Sequence, residues 1–149
     1  MNKVIMIGID LHDATMRLRM AADAEESVGK TFSTADVPEA LAWIRDFAAK
    51  HGASRIVAAY EASGQGFGLY DAFTDAGIEC HVLAPTHLPH TAHRRKNKTD
   101  DKDALMILDE VRGHILAGRK LPVVWVPDPQ TRDDREMVRM RLEMGEANG

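Results

Sequence analysis

Three strand-like patterns follow one another at the beginning of the chain, and their spacing restricts the fold more than any other feature. Residues 4–9 form a continuous apolar run rich in β-branched side chains, which predicts a strand buried on both faces. Residues 15–20 alternate between apolar and polar side chains, which predicts a strand with one exposed face. Because the link between them is short, these strands are expected to form an antiparallel hairpin. Residues 27–33 predict a weaker third strand, which completes an antiparallel meander.

The rest of the chain alternates between helical and strand-like patterns. Asp36, followed by Pro38 and Glu39, is typical of a helix start, and Gly52 is typical of a helix end. The remaining predicted elements are a strand at 55–60, a helix at 67–76, a strand at 78–83, a helix at 99–116, a short strand at 123–126 and a helix at 130–144. This order predicts an α/β fold of the RNase H-like type: a mixed sheet with a leading antiparallel meander and crossover helices.

Composition restricts the class of protein further. The 149 residues suffice for one domain, and 44% hydrophobic residues are ordinary for a globular protein. With a net charge of −4, any attraction for nucleic acid must come from a local patch. The single Cys80 fits a reducing compartment. The first apolar run is too short for a secretion signal, and no stretch is long enough to cross a membrane, so we expect a cytoplasmic protein.

A run of opposite charges at 93–104 is the most unusual local feature. Four basic residues come first, and three acidic residues follow them: Arg94, Arg95, Lys96 and Lys98, then Asp100, Asp101 and Asp103. A short charged run is usually a solvated surface. Here the basic residues are expected to contact nucleic-acid phosphates instead, because they adjoin acids suited to a metal.

Four carboxylates are expected to converge beside this run. Asp10 and Glu61 each end a predicted buried strand, and active sites gather at the carboxyl ends of such strands. Asp100 and Asp103 lie one turn before the apolar stripe of their helix, so they are expected to face inward. Inward carboxylates need positive partners, and one or two Mg²⁺ or Mn²⁺ ions suit oxygen ligands. Asp101 is interpreted instead as an acid stabilised by the helix dipole.

Three short segments resemble the signatures of the IS-one-ten family of insertion-sequence transposases. They are Ile-Gly-Ile-Asp at 7–10, Tyr-Glu-Ala-Ser-Gly at 60–64 and Lys-Thr-Asp-Asp-Lys-Asp-Ala at 98–104. Ser63 is a mild departure, since the family usually has Thr there. The resemblance covers nearly the whole chain and implies a domain similar to the RuvC Holliday-junction resolvase. It also implies that Asp10, Glu61, Asp100 and Asp103 are the catalytic, metal-binding DEDD quartet.

The resemblance further implies a function and a domain organisation. The function is metal-dependent cleavage of DNA phosphodiester bonds and strand transfer in transposition, with DNA and a guide (bridge) RNA as partners. Family members continue through a helical hairpin into a second domain that carries a catalytic serine. We therefore expect a RuvC-like domain at 1–128 and the start of a helical, coiled-coil extension at 129–149, with the serine domain absent. Apolar residues of the last predicted helix, such as Met137 and Met140, favour a homo-oligomer.

Three alternatives stay open. The chain could be a catalytically silent fragment that binds nucleic acid or dimerises with a transposase. A sugar-kinase-like ATPase shares the Gly-Ile-Asp opening, but a glycine-rich phosphate loop does not follow the first strand. The spacing of His87, His90 and His93 suggests a zinc site, but Pro89 interrupts the helix that such spacing needs.

Overall fold

Five strands and three helices make up the described part of the chain. A computed structural model describes residues 3–64, 66–85, 96–124 and 126, with the backbone alone for residues 96–100. The strands are β1 (Val4–Leu11), β2 (Thr15–Ala22), β3 (Val28–Ser33), β4 (Arg55–Glu61) and β5 (Glu79–Leu83). The helices are α1 (Val37–Lys50), α2 (Gly68–Asp75) and α3 (Lys96–Ala117). None of the helices within these ranges is long and apolar enough to cross a bilayer.

The strands form one mixed sheet in the order β3-β2-β1-β4-β5. β1, β2 and β3 pair antiparallel, as the alternating pattern of β2 and the short connections predict. β4 and β5 add in parallel on the other side of β1, which requires crossover helices. The predicted RNase H-like α/β fold is therefore confirmed.

Helix α1 begins where the sequence predicts. The Asp36 carboxylate accepts a hydrogen bond from the main-chain nitrogen of Glu39 at 3.4 Å, which caps the first turn. After the helix, Gly52 adopts a positive φ of 62°, a conformation that suits glycine. The sequence signals at both ends of this helix are confirmed.

The sheet is buried on both faces, and the two cores differ in their helices. On one face, α1 and α2 cover Ile5, Ile7 and Ile9 of β1. On the other face, α3 packs its residues Ile107, Leu108 and Val111 against a smaller cluster. This cluster contains the strand residues Met6, Ala21, Val57, Ala59 and Leu83. The face of the sheet that α3 covers is the one that carries the predicted acidic site residues.

Two predicted elements differ from the structure. Within the strand predicted at 123–126, the described residues form an isolated antiparallel bridge between Val123 and Leu83, next to a hydrogen bond from Val124 N to Val82 O at 2.8 Å. Helix α3 begins at Lys96, three residues earlier than predicted, because the charged residues ahead of its apolar stripe also favour a helix. The helix predicted at 130–144 lies outside the described residues.

Candidate functional site

Asp10 and Glu61 project from adjacent strands toward the same side of the sheet. Side chains alternate along a strand, and Met6 of β1 and Ala59 of β4 face α3. Asp10 and Glu61 therefore continue the α3 face. The parallel register pairs Ile9 with Tyr60, so the two acids follow at the same level, at neighbouring strand ends. The sequence prediction that these two strand ends meet is consistent with this register.

Helix α3 passes directly over β1 at a glycine. A Cβ atom on Gly8 would overlap the carbonyl oxygen of Ala104 and the main-chain nitrogen of Leu108. Farther along α3, Arg112 donates a hydrogen bond to the Glu25 carbonyl, near the opposite end of the sheet. The helix therefore runs antiparallel to β1. Its residues ahead of Ala104 lie toward the strand end that carries Asp10.

The structure describes the four predicted acids to different extents. Asp103 is half-buried on α3, one residue ahead of the contact at Gly8. Asp100 lies within α3, but its side chain is outside the described part. Among the described side chains, no group of three or more His, Cys, Asp or Glu residues is arranged to hold a metal. The fold brings Asp10, Glu61 and the turn bearing Asp103 to one edge.

His12 contacts one of these acids. Its Nε2 atom lies 2.7 Å from Oδ2 of Asp10. The side chain of Asp10 is 13% exposed and that of His12 is 48% exposed. The contact places His12 against the first acid of the predicted quartet, and its position two residues after Asp10 was the available signal.

Asp101 has a different role from the one predicted. Because α3 begins at Lys96, Asp101 lies beyond the first turn, where a dipole effect has faded. Its carboxylate is instead bound by Arg17, whose Nη2 lies 3.0 Å from Oδ1. Nη1 of Arg19 approaches the same oxygen at 3.6 Å. The dipole interpretation is wrong, since the tertiary partners on β2 decide where this side chain lies.

The predicted basic residues are described only in part. Lys96 and Lys98 belong to α3 through their backbone, whereas Arg94 and Arg95 lie outside the described residues. His87, His90 and His93 lie outside them as well. The phosphate-contact and zinc interpretations of these residues therefore stay predictions.

Cys80 and His81 point to opposite faces of β5. Cys80 packs in the core beneath α1 and α2, where burial raises the pKa of its thiol to about 12. The His81 ring meets that of His114 on α3 with centroids 6.0 Å apart. Partial burial, followed by the charge of His114, lowers the pKa of His81. Since the two side chains diverge, they do not form a joint metal site.

Comparisons with known proteins agree with this architecture. A family model described as Transposase, for DEDD transposases of the IS110 (IS-one-ten) type, matches residues 7–144. A curated relative, the putative transposase y4qE of Sinorhizobium fredii (strain NBRC 101917 / NGR234), is 37% identical over 82 residues. That match covers 55% of this chain and 20% of the relative's length. Since the family model spans most of the sequence, the chain belongs to the IS110-type DEDD transposase family.

Proposed function

We propose that this chain provides the RNase H-like catalytic part of a DNA transposase. It would act in divalent-metal-dependent cleavage of DNA phosphodiester bonds and in strand transfer. One observation carries the proposal: Asp10 and Glu61 end adjacent parallel strands on the face that α3 covers. The antiparallel course of α3 brings the turn bearing Asp103 to the same edge.

The proposed ligands are Asp10, Glu61, Asp100 and Asp103. Carboxylate oxygens are the ligands that Mg²⁺ and Mn²⁺ prefer, so the donor set fits such ions. A bound pair of ions would stabilise charge on the attacking and leaving oxygens of a phosphoryl displacement. The chain's contribution is to hold acids from two strands and one helix at a common edge. Arg17 and His12 supply positive or proton-bearing groups beside them.

The metal proposal can be tested by calorimetry with Mn²⁺. We expect the 149-residue chain to bind Mn²⁺, and we expect Asp10→Asn and Asp103→Asn each to weaken binding by at least about tenfold. Asp109→Asn is the matched control, because Asp109 is an exposed acid on the same helix. If Asp10→Asn and Asp103→Asn bound Mn²⁺ as strongly as the control variant, Asp10 and Asp103 would be excluded as ligands.

The basic run is proposed to contact the DNA backbone. Arg94, Arg95, Lys96 and Lys98 directly precede the acidic residues in the sequence, so bound phosphates and metal ligands would be neighbours. Replacing all four by Gln should reduce the dependence of DNA affinity on salt, by about 0.9 in the log–log slope for each phosphate that the variant no longer neutralises. Arg45→Gln with Lys50→Gln, both exposed on α1, is the control. An unchanged slope in the quadruple variant would exclude this interaction.

Guide RNA, homo-oligomerisation and a separate extension are further proposals that rest on family membership. In this scheme, residues 1–128 form the catalytic unit, residues 129–149 start a helical extension, and a serine-bearing domain supplies the nucleophile of strand exchange. A chain shortened to residues 1–128 should then unfold at nearly the same temperature as the 149-residue chain. A large decrease would show that 129–149 belongs to the folded unit.

A catalytically silent binding module is the second candidate. It is favoured by the engagement of Asp10 with His12. The two candidates differ in one result. A silent module keeps its nucleic-acid affinity in Asp10→Asn and Asp103→Asn and cleaves no DNA with any metal, whereas the catalytic unit loses metal-dependent activity in both variants.

A further inference from the structure

Arg17 connects three elements of the fold. Its Nε atom donates to Oδ1 of Asp101 on α3 at 3.1 Å, and its Nη2 atom lies 3.0 Å from the same oxygen as an ion pair. Its Nη1 atom donates to Oγ1 of Thr31 on β3 at 3.2 Å. The side chain is only 27% exposed, so its contact with Asp101 is partly shielded from water. One guanidinium thus joins β3, β2 and the part of α3 that carries the acidic residues.

Arg19 supports the same carboxylate from the next position on this face of β2. Its Nη1 lies 3.6 Å from Oδ1 of Asp101, and its Nη2 donates to Oγ of Ser27 at 2.8 Å. Because Ser27 holds the far end of Arg19, this guanidinium is fixed on the sheet. Two fixed cations therefore converge on Asp101. An exposed ion pair contributes little on its own, but a partly buried network fixes geometry more firmly.

The anchored residue lies between two proposed metal ligands. Successive residues of an α-helix are about 100° apart around its axis, so fixing Asp101 also fixes the direction in which Asp103 leaves the helix. Among the described side chains of α3, the buried apolar stripe begins at Ala104. The contact with Arg17 therefore attaches the helix to the sheet one turn ahead of its hydrophobic packing. Rotation of this turn would move Asp103 relative to β1.

Arg17 is also level with Asp10. The antiparallel register pairs the two residues directly, and both lie on the α3 face. The Arg17 side chain thus lies beside Asp10 and also holds the helix that carries Asp103. We propose that Arg17 is a positioning residue of the transposase site, acting through Asp101 to place the turn that bears Asp103 against Asp10 and Glu61. This inference rests on the proposed metal-binding function.

Because Arg17 is positively charged, an electrostatic role and a positioning role predict opposite changes in metal affinity when it is replaced. A cation beside an acidic site repels a metal ion, so electrostatics alone predicts that Arg17→Gln tightens metal binding. Positioning predicts the opposite, because the acids lose their arrangement when the turn is released. Asp101→Asn is less informative, since losing an acid near the site would weaken metal binding in either case. The neutral substitution of Arg17 is therefore the decisive variant.

The experiment is Mn²⁺ calorimetry on the 149-residue chain. We expect Arg17→Gln to weaken binding by about tenfold, the lower end of the range for residues that orient metal ligands. Arg17→Lys keeps the charge but not the two-point contact, and it should fall between the wild type and Arg17→Gln. Arg55→Gln is the matched control, because Arg55 makes a comparable pair with Glu79 at the other end of the sheet. Arg55→Gln should change the melting temperature about as much as Arg17→Gln does, but it should leave the metal affinity unchanged.

A second measurement separates failure of the inference from failure of the proposed function. Arg17→Gln should increase amide hydrogen exchange at residues 100–104, with little change at residues 110–115. Tighter or unchanged Mn²⁺ binding in this variant, or unchanged exchange at 100–104, would overturn the positioning role. If the wild-type chain binds no Mn²⁺, the metal-binding function fails, and the positioning of an acidic site fails with it. In that case increased exchange would show that Arg17 serves only to anchor the helix.

Discussion

Gly8 of β1 and Leu108 of α3 meet through their backbones, with no space for a side chain between strand and helix. A Cβ atom at position 8 would overlap the main-chain nitrogen of Leu108. Since both partners are backbone, neither can move aside by changing a rotamer. This contact sets how closely α3 approaches the strand that carries Asp10.

Gly8→Ala should therefore push α3 away from the sheet. We expect the free energy of unfolding to fall by about 1–3 kcal/mol, as for other overpacked cores, and Mn²⁺ affinity to fall with it. Urea denaturation followed by circular dichroism measures the first effect. Gly68→Ala is the control, because a Cβ built there meets no atom of the described residues within 4 Å, apart from its chain neighbours and its own helix. Equal stability of the two variants would contradict the close approach.

His12 is expected to compete with a metal for Asp10. Its Nε2 lies 2.7 Å from an oxygen that a metal ligand would have to offer. Removing a hydrogen bond worth about 0.5–1.5 kcal/mol should tighten Mn²⁺ binding by about two- to tenfold in His12→Ala. Calorimetry with His51→Ala as the control variant measures this change. Weaker binding in His12→Ala would instead identify His12 as a further ligand.

The fold was largely predictable because its signals are local. The apolar run of β1, the alternation along β2 and the cap at Asp36 each depend on neighbouring residues, and all three predictions are confirmed. The pairing of Arg17 with Asp101 was not predictable, because 84 positions separate the two residues. Only the register of β2 and the packing of α3 bring them together. From the sequence alone, Asp101 was interpreted as an acid stabilised by the helix dipole, and that interpretation is wrong.

The extra length of α3 was missed for a similar reason. Residues 96–98 have no apolar periodicity, so the pattern alone placed the helix start at 99. Charged residues with good helix propensity extend a helix without leaving a hydrophobic signal. Residues 123–126 look like a strand in the sequence, but the described part of this segment forms a single β-bridge, between Val123 and Leu83, with an adjoining hydrogen bond from Val124 N to Val82 O.

The pKa of His81 predicts a pH effect on stability. Partial burial and then His114 lower this pKa below its ordinary value of 6.5, although Glu79 opposes the shift. The unfolded chain therefore binds the proton more readily, and stability falls as the pH decreases below about 6.5. His81→Gln should reduce the loss of unfolding free energy between about pH 7.5 and about pH 5.5. An identical pH dependence in the wild type and the variant would contradict this expectation.

Cys80 should react slowly in the folded chain. Burial raises the pKa of its thiol to about 12, so less than about one molecule in a thousand carries the reactive thiolate near pH 8.5. We expect iodoacetamide to label the native protein far more slowly than the protein in guanidinium chloride. Because Cys80 is the only cysteine in the sequence, the mass shift of the intact chain reports this site alone. Equal rates in the two states would show that the thiol is accessible.

Tyr60 replaces a missing cap on α2. The residue before this helix, Phe67, offers no side-chain cap, and the main-chain nitrogen of Tyr70 instead donates to the hydroxyl of Tyr60 at 3.2 Å. Because Tyr60 is fully buried on β4, its hydroxyl ties the first turn of α2 to the strand that ends in Glu61. Tyr60→Phe should lower the free energy of unfolding by about 0.5–1.5 kcal/mol. Tyr70→Phe keeps the main-chain donor and should change stability less. Urea denaturation measures the free energy of unfolding of both variants. A larger loss of stability in Tyr70→Phe than in Tyr60→Phe would contradict this role of Tyr60.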